Sequence, residues 1–255
     1  MIFTDQLNRQ VEIHFPVKRI ISLVPSQTEL LFYLGLSDSI AGVTKFCIHP
    51  NEQVSHKYII GGTKNFRFDV IDKIEPDLII GNKEENYQEG IVRLAEKYPV
   101  WMSDISSLQD AIKMIEAMGT ITNTASVSSR LVSEIEFSLQ RIKIRKPVNV
   151  VYLIWKSPWM AAGKSTFIAS WIEELGLLNV ISAERYPTVS TEQLQQLNPQ
   201  LVLLSSEPYP FNASHLLELQ SLLPQSKIML VDGEMFSWYG SRMLEAVPYF
   251  NSLEL

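Results

Sequence analysis

Hydrophobic positions change their spacing repeatedly along the chain, and short unbroken apolar runs alternate with stretches of helical period. Residues 19–24 (Arg-Ile-Ile-Ser-Leu-Val) form an apolar, β-branched run stopped by Pro25-Ser26, as expected of a strand buried on both faces. Ser26 or Thr28 is placed to cap a helix over 29–34, which Gly35 ends. Further strands are predicted at 40–44, 77–80 and 100–102, with helices at 68–74, 90–97 and 108–118. Residues 125–145 contain neither Gly nor Pro, and Val127, Leu131, Ile135, Leu139 and Ile142 recur at spacings of four and three. That spacing predicts one amphipathic helix of about five or six turns, with Pro147 beyond its end. Strands at 148–155, 201–205 and 227–232 then alternate with helices at 167–175, 191–197 and 213–222, and a last helix is expected at 241–251. Alternation of this kind defines an α/β class with doubly wound, parallel sheets.

The pattern also repeats itself. Residues 31–40 (LFYLGLSDSI) match 172–181 (IEELGLLNVI), and 69–78 (DVIDKIEPDL) match 192–201 (EQLQQLNPQL), the second pair offset by 192 − 69 = 123 positions. Two related Rossmann-like lobes joined by one helix account for this: an N-terminal lobe over 1–120, a helix over 121–146 and a C-terminal lobe over 147–255.

Composition adds exclusions. With 22 basic and 28 acidic residues the net charge is −6, so no basic stripe is available for a nucleic-acid backbone. Cys47 is the one cysteine, which excludes an internal disulfide and multi-cysteine metal sites. No window approaches the roughly 18 apolar residues of a membrane span. Residues 1–8 (MIFTDQLN) lack the features of an export leader, so as written the chain is expected in the cytoplasm.

Candidate chemistry lies after the C-terminal strands. Residues 155–163 (WKSPWMAAG), 185–187 (RYP), 205–211 (SSEPYPF) and 232–242 (DGEMFSWYGSR) concentrate aromatic and charged side chains where open α/β sheets bind ligands. The expected ligand contacts are Trp155, Trp159, Arg185, Tyr186, Glu207, Tyr209, Phe236, Trp238, Tyr239 and Arg242. Arg185 and Arg242 suit anionic groups, whereas Glu207, Asp232 and Glu234 are acceptors; each serves equally well in an ordinary buried ion pair. Residues 162–166 (AGKST) resemble the end of a phosphate loop, but Pro158 stands where the first glycine is required. Cys47 and His49 are expected to pack and cap rather than to bind metal, and no metal site is expected.

The run 18–30 (KRIISLVPSQTEL), the element 74–80 (IEPDLII), the long central helix and the Glu192…Pro199 echo together resemble the helical-backbone substrate-binding proteins of ABC importers, which take up cobalamin, ferric siderophores and haem. The resemblance covers nearly the whole chain and is nearest to the cobalamin type. It implies a monomeric, non-catalytic receptor with no intrinsic cofactor, holding cobalamin, a related corrinoid or a ferric chelate between its lobes. It also implies that Phe46 and Trp155 pack on the ligand, and that Asp69 and Glu192 dock on arginines of a dimeric permease. Thr63 and Met235 depart from the family's cobalamin binders, which carry tryptophans there, and the missing leader departs from its extracytoplasmic location. A second reading, a cytosolic enzyme or chaperone handling a corrinoid or metal chelate, would use Glu207, Asp232 and Glu234 as acid–base or metal groups.

Overall fold

In the computed structural model, which describes residues 1–255, the apolar runs lie at the centres of two sheets, one in each of two units. Unit 1 comprises residues 1–105, 109–136 and 239–242; unit 2 comprises 106–108, 137–238 and 243–255.

Unit 1 opens with an antiparallel hairpin, β1 (Ile2–Thr4) and β2 (Gln10–Glu12), whose loop is held by the Asp5 carboxylate accepting from Leu7 N, Arg9 N and the Arg9 guanidinium. There follow β3 (Ile20–Ser22), α1 (Pro25–Tyr33), β4 (Ile40–Val43), α2 (Asn51–Val54), β5 (Tyr58–Ile59), β6 (Gly61–Gly62) and β7 (Asn65–Phe66). Next come α3 (Phe68–Ile74), β8 (Leu78–Asn82), α4 (Gln88–Ala95), β9 (Val100–Ser103), α5 (Leu108–Ile121) and α6 (Ala125–Leu139). The main sheet has the order β5-β4-β3-β8-β9 and is parallel throughout. Strand β3 and most of β8 are apolar and fully buried because helices cover both faces of a parallel sheet.

Unit 2 contains β10 (Asn149–Trp155), β11 (Met160–Ala161), α7 (Phe167–Glu174), β12 (Leu178–Asn179), α8 (Thr191–Leu197) and β13 (Leu201–Ser205). It is completed by α9 (Ala213–Leu222), β14 (Lys227–Val231), α10 (Gly233–Ser237) and α11 (Met243–Ser252). Strands β10, β13 and β14 are parallel, and the free edge of β10 is shared by parallel β12 and antiparallel β11. Its core gathers Val151, Leu153, Val202 and Leu204 from the strands with Leu194 and Leu219 from the helices.

The internal echo has a structural counterpart in each unit. Helices α3 and α8 each end on a left-handed residue, Glu75 (φ 48°) and Asn198 (φ 42°), followed by proline and then a strand. Helices α1 and α7 are each followed by a glycine at positive φ, Gly35 (81°) and Gly176 (76°), the conformation that glycine adopts without a Cβ penalty.

Two expectations need correction. The central helix does not run to Arg145: α6 stops at Leu139, because Lys143 N donates to Asn251 Oδ1 (2.8 Å) and Arg145 N to Leu175 O (2.9 Å), contacts that draw this backbone out of a helical path. Neither Ser26 nor Thr28 caps α1. The helix starts at Pro25, whose missing N–H costs nothing in the first turn, and Thr28 Oγ1 donates back to Val24 O (2.9 Å).

Candidate functional site

In both units the carboxyl ends of the strands carry the polar and aromatic side chains. In unit 1 the chain leaves β3 and β8 towards opposite sides of the sheet, a switch point of the kind at which α/β folds bind ligands. A buried polar cluster occupies it. Ser103 Oγ accepts from Gln27 Nε2 (2.6 Å) and Asn82 Nδ2 (3.0 Å), and Asn86 Oδ1 accepts from Asn82 N (2.9 Å). A Cβ at Gly81 would lie 2.7 Å from Asn86 Oδ1, so glycine is required for this approach. Gln27 Oε1 is buried without a protein partner.

Phe46 follows β4 and is half exposed, its ring lying on Gly62, where a Cβ would come within 3.2 Å, with Lys45 Nζ 5.0 Å from its centroid. Neighbouring Cys47 is buried, its Sγ within 3.1 Å of Thr28 Oγ1 and 3.2 Å of Thr44 Oγ1, and burial pushes its thiol pKa up. That is the packed cysteine the sequence suggested.

In unit 2, β10 ends on Trp155, 40% exposed, with Tyr209 standing against it at 5.4 Å and 71°. Tyr209 is itself backed by Phe211 (4.8 Å) and by His215, whose Nε2 lies 3.2 Å from the phenol oxygen. Phe211 stacks on buried Trp159 at 6.1 Å and 10°. The result is an aromatic shelf with Trp155 at its open end.

Glu207 lies on the loop after β13. Its Oε1 accepts from Ser237 Oγ (2.8 Å) and Trp238 Nε1 (2.9 Å). Burial raises its pKa, and the charges of Glu234 and Asp232 push the same way against those two donors. Arg185 takes positive φ (63°), and its guanidinium donates to Ser165 O (3.0 Å), with Tyr186 partly buried beside it. The phosphate-loop resemblance dissolves here, because Gly163 is needed for another purpose. A Cβ there would lie 2.1 Å from Ala183 O, while Thr166 caps α7 by accepting from Ala169 N (3.1 Å).

Several of the expected contact residues are buried among other side chains. Phe236 is fully buried between Tyr152 (4.9 Å) and Phe250 (4.6 Å). Arg242 is buried, with its guanidinium on Glu29, Nη2 to Oε1 at 2.5 Å and Nε to Oε2 at 3.1 Å, the ion pair that was the other reading of this arginine. Trp159, Trp238 and Tyr239 are likewise buried. Sequence reading missed Glu29 because nothing local relates positions 213 apart. The loop 82–86 offers a polar contact from the sequence alone, but nothing local relates Asn82 to Gln27 and Ser103.

Asp69 and Glu192 each stand second in an equivalent helix, α3 and α8, and both are exposed. Arg67 lies 3.6 Å from Asp69, and a hydrogen bond from Ser190 lowers the pKa of Glu192.

Two α/β units with ligand-type features at the carboxyl ends of their strands define a bilobal binding-protein class. Residues 20–222 match the family model described as periplasmic binding protein, and the chain belongs to that family. It is 23% identical over 198 residues to the vitamin B12-binding protein of Vibrio cholerae, covering 75% of this chain and 71% of the relative. The crystal structure of the V. cholerae periplasmic vitamin B12-binding protein has a TM-score of 0.81 at 21% identity, covering 93% of this chain and 96% of that one. A periplasmic haem-binding protein from Roseiflexus sp. RS-1 gives 0.79 at 21% identity, with coverages of 92% and 98%.

Proposed function

We propose that this protein is the substrate-binding component of an ABC importer and that its ligand is a flat metal chelate, a corrinoid, haem or ferric siderophore. The aromatic shelf at the end of β10 carries the reading. Trp155 offers a large ring face, edge-supported by Tyr209, in a chain of a family of binding proteins. Phe46, backed by Gly62 and flanked by Lys45, supplies a second exposed ring. Arg185 and Tyr186 are the polar groups suited to peripheral carboxylates or amides. Part-buried Glu207 positions the shelf loop through Trp238 and Ser237.

Tryptophan quenching during titration with cyanocobalamin, haemin and a ferric hydroxamate tests the reading. Saturable quenching by one of them is expected, and Trp155→Ala should weaken it about tenfold or more, the loss of one large ring contact. Absence of saturation with all three overturns it. Asp69 and Glu192 form a two-point acidic grip suited to a basic, dimeric permease. Asp69→Lys with Glu192→Lys should abolish stimulation of the permease ATPase while leaving ligand affinity intact. A loss of ligand affinity would instead place these acids in the binding site.

A further inference from the structure

On the flank of the unit 1 sheet, beside edge strand β5 and helix α3, lies an open cavity of about 590 Å³. That volume falls in the range of roughly 300–1,000 Å³ typical of small-molecule sites. Three cations line it, Arg19, Arg67 and Lys73, and no carboxylate does, a concentration of positive charge in a chain whose net charge is −6. The rest of the wall is apolar or aromatic, including Ile59, Ile74 and the widely exposed ring of Tyr58.

The cations differ in how they are held. Arg19 is fixed, donating to Glu75 O (2.6 Å) and Asp77 Oδ1 (2.9 Å). Arg67 has only the long 3.6 Å approach to Asp69, and exposed Lys73 makes no ion pair. A lining that combines cations with apolar and aromatic side chains selects a ligand with both characters. A bare inorganic anion would leave Ile59, Ile74 and Tyr58 uncovered, and the two-residue edge of β5 is too short to hold a peptide strand.

We propose that this cavity is a binding site for an amphipathic organic anion, one carboxylate, sulfonate or phosphate ester on a flat apolar body. The anionic group meets Arg67 and Lys73, with Arg19 as the fixed charge behind them, and the apolar body lies on Tyr58, Ile59 and Ile74. The inference stands apart from the metal-chelate reading and rests on different residues.

The test titrates the full chain with 1-naphthoate, 1-anilinonaphthalene-8-sulfonate and inorganic phosphate, followed by amide chemical shifts. Saturable shifts centred on Tyr58, Ile59, Arg67 and Lys73 are expected with the two aromatic anions, and much weaker ones with phosphate. Arg67→Glu with Lys73→Glu should weaken aromatic-anion binding about tenfold or more, the scale of one or two lost charge-assisted contacts. Both positions are exposed, and Tyr58→Ala supplies an independent variant that leaves the charges in place and should also weaken binding. Unchanged affinity in both variants, shifts centred elsewhere, phosphate binding as tight as naphthoate, or no saturation each overturns the proposal.

Discussion

Arg242 reaches Glu29 across 213 positions of sequence, and both side chains are largely withdrawn from water. Two parallel N–H···O bonds make a bidentate pair, and removing one partner strands the other charge in a poor dielectric. Arg242→Met is therefore expected to cost about 3–5 kcal/mol in urea unfolding, and adding Glu29→Leu should recover much of it. Glu207 presents the opposite electrostatics, since burial and the nearby Glu234 and Asp232 charges raise its pKa above its unfolded value. The folded state then binds the proton more tightly, so this group's contribution is present below the unfolded value of about 4.3 and falls away as pH rises through the folded pKa. Glu207→Gln should therefore gain stability relative to the parent as pH rises above the ordinary carboxylate range and through the folded pKa, measured by denaturation at each pH. At this scale the sequence disclosed residue types but not partners. Arg242 and Phe236 cluster with aromatics in the chain, but nothing in the sequence shows that Glu29 and Tyr152 pack against them.

Elements were more legible than contacts. The strands around Ile20, Leu78, Val150 and Leu201 appear where unbroken apolar runs predict them, because burial on both faces leaves a strong and local signal; the half-exposed edge strand from Lys227 was found by its apolar run alone. Short pieces such as β5, β6, β7, β11 and β12 went unread, since two residues carry no period. The end of α6 was hidden for another reason: Ile142 continues the helical spacing, yet tertiary bonds to Asn251 and Leu175 decide the backbone there. Helices α5 and α6 meet at Gly119, where a Cβ would lie 1.9 Å from Ser128 Oγ and 2.6 Å from Ser128 Cβ. Gly119→Ala should thus destabilise unit 1 by about 1–3 kcal/mol in thermal or urea unfolding, partly relieved by Ser128→Gly. In α8 the capping box of Ser190 and Gln193 satisfies end groups reciprocally, and Ser190→Ala should cost about 1 kcal/mol by the same measurement.

For the whole molecule, the two-fold echo and the α/β alternation were readable, because each copy repeats the same helix, left-handed cap, proline and strand. What sequence order concealed is that neither unit is a continuous stretch of chain. A fragment of residues 1–136 would leave Glu29 without Arg242 and remove the Gly240 backbone that lies against Leu30. Amides of α1 in that fragment should exchange with solvent faster than in the full chain, as hydrogen exchange would measure.

The insertion of Tyr239–Arg242 into unit 1 also sets an order of events on the ribosome. Domains generally fold as they emerge, N-terminal first. Here the first-made unit waits for four residues that are translated after nearly all of unit 2, so it begins first and is completed late. Glu29 spends most of synthesis without Arg242, and no single cut in the gene yields either unit whole.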